Sequence, residues 1–225
     1  MWRTDPEYLV NPAVGNLGAF RAALAARGVT VAGGERAGTA PDPTATVASV
    51  RSSPVADLVG TMMTNSDNFY AEMLLKGVGQ KVWGQGTFAN GMGVVHQLAG
   101  EAGVRLSGRA ADGSGLSRDN TRRPQEWLDL LVAARSQPWF DSLVGGLPLG
   151  GRTGTLMNRF RGTPAEANVR AKTGSVQQTR ALSGYLTTAG GRAVVFSIIV
   201  NSNPVPPEVI GAMDNVISTM AASRG

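Results

Sequence analysis

Apolar side chains follow two different periods along this chain. Up to about residue 136, and again over 207–222, they recur every three or four positions, as on one face of a helix, whereas 168–201 has the make-up of strands. Leu17, Phe20 and Leu24 predict a helix over residues 12–27, with Gly28 behind Arg27 as its stop. Residues 33–43 are rich in turn formers, and 46–50 alternate like a short strand. Ser53-Pro54 opens the next helix with proline at its first position, and Val55, Leu58, Val59 and Met62 share one side of it. Ser66-Asp67-Asn68 separates that helix from another over 69–76, which Gly77 and Gly79 end. Further helices are predicted over 93–102, over 124–136 behind the capping candidate Thr121, and over 207–222.

Residues 168–175, 181–188 and 192–201 are rich in Val, Ile, Thr, Tyr and Phe, and Gly190-Gly191 marks a hairpin turn. The pattern predicts an α+β protein: an antiparallel sheet near the C-terminus, flanking helices, and a final helix able to cover the sheet. No repeat or low-complexity block interrupts the chain, which reads as a single unit. Chain order does not give the strand order.

Composition removes several classes of chemistry. The 225 residues carry no cysteine and one histidine, which excludes a thiolate nucleophile, an iron–sulfur site and the ligand set of a usual structural zinc site. A Ser-His-Asp relay would have to run through His96, which stands between Val95 and Leu98 on a predicted helix and is expected to be a packed or capping side chain. No cofactor and no metal are expected. The net charge is +5, from 21 basic and 16 acidic residues, but the arginines and lysines are scattered and no aromatics are interleaved to stack bases, so no nucleic-acid partner is expected. The longest largely apolar stretch, residues 193–200, is far below the roughly 20 residues that span a bilayer. Asp5 and Glu7 stand where a secretory signal would place apolar residues, so no export signal and no transmembrane segment are expected in this chain.

With only Lys76, Lys81 and Lys172 present, the lysines can be searched one by one. Lys172-Thr173-Gly174 lies inside a predicted strand, where an ammonium group gains nothing from packing. At a sheet edge, glycine lets another backbone approach, threonine offers a hydroxyl and lysine a positive charge for a carboxylate, so an extended peptide could be held by strand addition. An exposed lysine before a turn is the simpler alternative. Ser66-Asp67-Asn68 sits at a helix break, where Ser and Asn can hydrogen-bond local backbone and cap the next helix. Taken together, a Ser-x-Asn element and a Lys-Thr-Gly strand are two of the three elements that line the cleft of penicillin-recognising serine acyltransferases; the third is Ser-x-x-Lys.

Ser66-Asp67-Asn68-Phe69-Tyr70-Ala71-Glu72, Asp112-Gly113-Ser114-Gly115-Leu116-Ser117-Arg118, Leu147-Pro148-Leu149, Gly154-Thr155-Leu156 and Ala171-Lys172-Thr173-Gly174-Ser175 follow one another in order. In this the chain resembles the low-molecular-mass class C penicillin-binding proteins, D-alanyl-D-alanine carboxypeptidases and endopeptidases of peptidoglycan. The resemblance implies a partial penicillin-binding, serine β-lactamase-like transpeptidase fold. It implies that Ser66 relays a proton to the leaving amine, that Asn68 binds the substrate's peptide carbonyl, and that Lys172 supplies the field that sets the Ser66 proton. It further implies that Thr173 binds the terminal carboxylate of D-Ala-D-Ala or of a β-lactam, with Gly174 beside it, and that the Ser175 N–H is an oxyanion donor. The implied partners are a peptidoglycan stem peptide ending in D-Ala-D-Ala and β-lactams, and the family works outside the cytoplasmic membrane.

One element departs from the pattern. Three residues before the lysines stand Met73, Val78 and Val169, so there is no Ser-x-x-Lys. The chain is therefore expected to be the C-terminal part of such an enzyme: residues 1–11 a tail at the truncation point, 12–225 the peptidase part, and the missing N-terminal segment a possible partner that also supplies strands to the sheet. Alone it is expected to be inactive. The alternatives are a catalytically dead module that binds D-Ala peptides or a partner protein, and half of a split enzyme. Ser66 with Lys172 as a substitute dyad, and Ser114 as a nucleophile, are disfavoured. Gly84 to Ala89 spell a dinucleotide fingerprint but follow a helix instead of a strand, which speaks against phosphate binding.

Overall fold

The computed structural model describes residues 12–39, 45–46 and 48–224. The chain divides into two units, Met1–Arg51 and Ser52–Gly225. In the first, the helix expected over 12–27 is split at Asn16 into α1 (Pro12–Gly15) and α2 (Leu17–Ala25), and Gly28 closes it at φ 78°. Among the described residues of 46–50 the expected strand is not seen. Position 47 lies outside the described residues, the others there lack regular structure, and Val50 is 98% exposed. An isolated alternating pentapeptide has no neighbour to complete its ladder. The tail expected over 1–11 also lies outside the described residues.

The second unit begins with α3 (Val55–Asn65), whose expected first residue Pro54 is instead its N-cap, with an extended ψ of 148°. The helix that follows, α4 (Asn68–Trp83), runs straight through Gly77 and Gly79 and stops at left-handed Gly84. Here glycine serves packing and not punctuation: a Cβ on Gly79 would lie 2.7 Å from the Gly91 nitrogen, so the two backbones nearly touch. Gly91 belongs to α5 (Phe88–Glu101), which starts well before the expected residue 93 because Thr87 Oγ1 accepts the Asn90 N–H. In α6 (Pro124–Ala134) the N-cap is Arg123; the capping candidate Thr121 is instead tied to Arg109, taking its N–H on Oγ1 and donating its own N–H to the Arg109 carbonyl. Sequence pattern did not anticipate α7 (Phe140–Gly146), which at 7 residues is too short to display a period.

The sheet has the order β1 (Arg170–Val176), β2 (Thr179–Thr187), β3 (Ala193–Asn201), all antiparallel, followed by α8 (Val209–Ala222). Alternation decides its two faces. Ala171, Leu182, Leu186 and Phe196 are buried in one core with Met213, Ile217 and Ala221 of α8 and with Leu156 and Phe160. On the opposite face Lys172 pairs with Ser183 and Ser183 with Ser197, and the two serine hydroxyls are 2.8 Å apart. Gly184 is a tight point of the ladder, since a Cβ there would lie 2.1 Å from the Arg170 carbonyl oxygen. Among the described residues β3 has no strand on its outer side, and no helix is long and apolar enough to cross a membrane.

Candidate active site

Being first in the sheet order, β1 is an edge strand. Leu147-Pro148-Leu149 covers only its beginning: the Ala171 N–H donates to the Pro148 carbonyl at 3.1 Å, and Leu149 bridges Arg170. The Ala171 amide thus points away from β2, and by strand alternation so do those of Thr173 and Ser175, which lie beyond the cover. Among the described residues the edge is therefore open where a peptide could add to it. Gly174 lies between them, exposed, and a Cβ there would approach only Ala181, at 3.1 Å.

The junction between α3 and α4 meets this edge. Ser66 ends α3 in the left-handed region, at φ 56° and ψ 47°, a conformation that costs a non-glycine residue about 1–2 kcal/mol. The cap of α4 is neither Ser66 nor Asn68 but Asp67, whose Oδ1 accepts the Tyr70 N–H at 2.9 Å. The Ser66 and Asn68 side chains are thereby released from capping. Asn68 is exposed on the first turn of α4, and the Ser66 hydroxyl accepts a hydrogen bond from Lys172 Nζ at 2.6 Å, across 106 residues of chain.

Lys172 also donates to the Thr173 carbonyl at 2.9 Å, and among the described residues no carboxylate lies within ion-pairing distance. Burial disfavours its charged form and holds its pKa below the usual lysine value. An anion placed beside a half-buried ammonium would offset the cost of its desolvation. At the next position of β1, Thr173 Oγ1 donates to Thr155 Oγ1 at 2.9 Å, so two hydroxyls meet at this edge. Thr155 stands on a single 3-10 turn, Gly154–Leu156, that fits only because residue 154 is glycine: its φ is 53° and a Cβ would lie 2.1 Å from the Thr64 carbonyl. Thr64, on the last turn of α3, donates to the Gly146 carbonyl at 2.7 Å. The same contacts that pack α3 against this turn thus bring Ser66 to Lys172.

The other candidates fall elsewhere. Ser114 lies in a loop whose Asp112 accepts the Gly115 and Ser117 N–H groups, a tight turn and not a nucleophile elbow. His96, expected to be a packed or capping side chain, is exposed, and its Nε2 accepts from Arg122 at 3.1 Å. Arg159 grips Asp214 of α8, and Arg161 donates to the Met157 carbonyl. Gly84 to Ala89 form the turn between α4 and α5 and the first two residues of α5. Among the described residues no cluster of His, Asp and Glu could hold a metal ion. Sequence reasoning assigned no part to Thr155 or Glu72, although both stood inside the motifs it singled out.

A family model described as the D-Ala-D-Ala carboxypeptidase 3 (S13) family matches residues 9–220. A D-alanyl-D-alanine carboxypeptidase from an Actinomadura species is 38% identical over 205 residues, covering 86% of this chain and 38% of that one. Among solved structures, penicillin binding protein 4 of Haemophilus influenzae, crystallised with a β-lactam, superimposes with a TM-score of 0.85 at 26% identity, over 96% of this chain and 52% of that one. The TLA-3 extended-spectrum β-lactamase shares the fold alone, with a TM-score of 0.54 at 18% identity, over 74% of this chain and 61% of that one. The chain spans about two fifths of the length of the curated relatives it matches.

Proposed function

Because the chain belongs to the D-Ala-D-Ala carboxypeptidase 3 (S13) family, we propose that it forms one wall of the groove of a serine D-alanyl-D-alanine carboxypeptidase or endopeptidase. The observation that carries this reading is the 2.6 Å hydrogen bond joining Ser66 to Lys172 at the open edge of β1. A peptide ending in D-Ala-D-Ala lies along that edge as an added strand, with its terminal carboxylate at Lys172, Thr173 and Thr155. The Asn68 amide takes the preceding peptide carbonyl, Gly174 keeps the approach free of side chain, and the Ser175 N–H donates to the scissile carbonyl oxygen as charge develops on it. When the C–N bond breaks, Ser66 passes a proton to the leaving nitrogen and takes up the one given up by the attacking hydroxyl, while the Lys172 ammonium stays charged and holds the Ser66 oxygen in place. A β-lactam carboxylate occupies the same place.

The attacking hydroxyl comes from a Ser-x-x-Lys segment outside this sequence, and the assembled enzyme works on peptidoglycan outside the cytoplasmic membrane. Among the described residues nothing pairs with the outer side of β3, which favours a complementing segment over a free-standing module that only binds D-Ala peptides. Incubation with a fluorescent penicillin tests this. The chain alone should give no covalent adduct, and a complementing Ser-x-x-Lys polypeptide should restore labelling. An adduct on the chain alone would show that it carries its own nucleophile.

A further inference from the structure

Glu72 has no part in the chemistry above, yet its carboxylate makes two long-range contacts. Its Oε2 accepts the Gly113 N–H at 2.9 Å and its Oε1 accepts the Ser114 N–H at 3.1 Å, so both oxygens grip consecutive amides of one loop. Glu72 lies four residues after Asn68, one turn along the same face of α4. The loop it holds is pressed onto that helix: a Cβ on Gly113 would come 2.6 Å from the Ala71 carbonyl oxygen and 3.2 Å from Leu75. Asp112 makes the loop a rigid body, accepting from Gly115, from Ser117 and from the Asn120 side chain. At the loop's far end Arg118 Nη2 donates to Gln177 Oε1 at 3.0 Å, on the turn between β1 and β2.

We propose that Glu72 is a positioning residue: by docking the 112–118 loop on α4 it holds Arg118 against Gln177 and so braces the β1–β2 hairpin against the helix that carries Asn68. The two walls joined at Ser66 and Lys172 are thereby tied at a second point, through a chain of hydrogen bonds that never enters the groove. A carboxylate is needed because two adjacent N–H donors face it; the amide of Gln would turn an N–H₂ toward one of them. The bearing of this brace on catalysis rests on the function proposed above, whereas the brace itself belongs to the ligand-free chain.

Hydrogen exchange on the full ligand-free chain tests it, so the outcome is independent of whether the groove takes a D-Ala-terminated peptide. Glu72→Gln should speed exchange three- to tenfold over 112–118 and also over 172–180. Arg118→Ala, a surface change with no burden on folding, should speed 172–180 by a similar factor. The double variant should exchange over 172–180 no faster than Glu72→Gln, since both act through one link. Loosening confined to 112–118, effects that multiply in the double variant, or an Arg118→Ala chain with unchanged exchange over 172–180 would each overturn the brace, the last whatever becomes of Glu72→Gln.

Discussion

Replacing Lys172 by Met keeps the apolar stem and removes the ammonium group. In the ligand-free chain that ammonium is half-buried, bonded to Ser66 and to the Thr173 carbonyl and, among the described residues, facing no carboxylate, so its removal relieves a desolvation cost as well as losing two hydrogen bonds. The two effects nearly cancel, and the thermal midpoint should move by only a few degrees. Binding of an acyl-D-Ala-D-Ala peptide should respond very differently, because a hydrogen bond to a charged partner contributes about 1.5–3 kcal/mol. At 1.4 kcal/mol per factor of ten, that is roughly a 10- to 150-fold rise in Kd. The pH dependence adds a second signature. Burial places the folded-state pKa of Lys172 below the usual 10.5, so between the two values the unfolded chain binds more protons and the fold gains stability as pH rises. Carboxylate binding needs the ammonium and should fade as pH climbs through the folded-state pKa; in Lys172→Met both dependences should vanish. Titration calorimetry from pH 7 to 10, paired with thermal melts, reads both. A Kd within twofold of the parent's, with the melt unchanged, would refute the assignment of Lys172 as the carboxylate's partner.

Glu126 is 2% exposed and its pKa is lowered to about 2, first by the Ser107 hydroxyl and then by Arg123 and local backbone groups. Its contribution to stability is present above about pH 4.5 and lost as pH falls toward 2; in Glu126→Gln the unfolding free energy from urea melts at pH 7 should fall by about 1–3 kcal/mol, and the acid dependence should flatten. Gly154→Ala drives a Cβ against the Thr64 carbonyl at a positive φ, so the unfolding free energy should fall by about 1–3 kcal/mol and the peptide Kd should rise as Thr155 leaves Thr173. Arg159→Ala breaks the partly buried pair with Asp214 and should lower the melting temperature while leaving peptide affinity unchanged, since that pair packs α8 and does not face the groove.

The sheet was legible in the sequence because a strand writes its two faces into alternate residues: Ala171, Leu182, Leu186 and Phe196 are the buried set, and Gly190-Gly191 marks the turn. Helix ends were misread where glycine answers a neighbour and not its own backbone. Gly77 and Gly79 look like stops to any local rule, but Gly79 exists for the approach of Gly91, which lies in another helix. The short strand at 46–50 failed for the opposite reason: its alternation was real, but nothing among the described residues pairs with it.

The site obeys the same division. Local rules assigned Ser66 and Asn68 to capping, whereas Asp67 between them does the capping and frees both. What joins Ser66 to Lys172 is not visible from either residue, but it is implied by the order of the motifs, each of which is completed by an atom of another. Glu72 is satisfied by amides of the 112–118 loop, Thr155 by Thr173, and Gly154 by the closeness of Thr64. Several of these partners are backbone groups, which any residue could supply in kind but only one chain path can supply in place. That is why such motifs concentrate glycine: it permits the close approach, while the single Asp, Glu or Thr beside it supplies the hydrogen bond that fixes the distance. A groove assembled this way loses its geometry when any one link is cut, so substitutions at Glu72 or Gly154, which touch no substrate, are expected to act on Ser66 and Lys172 together.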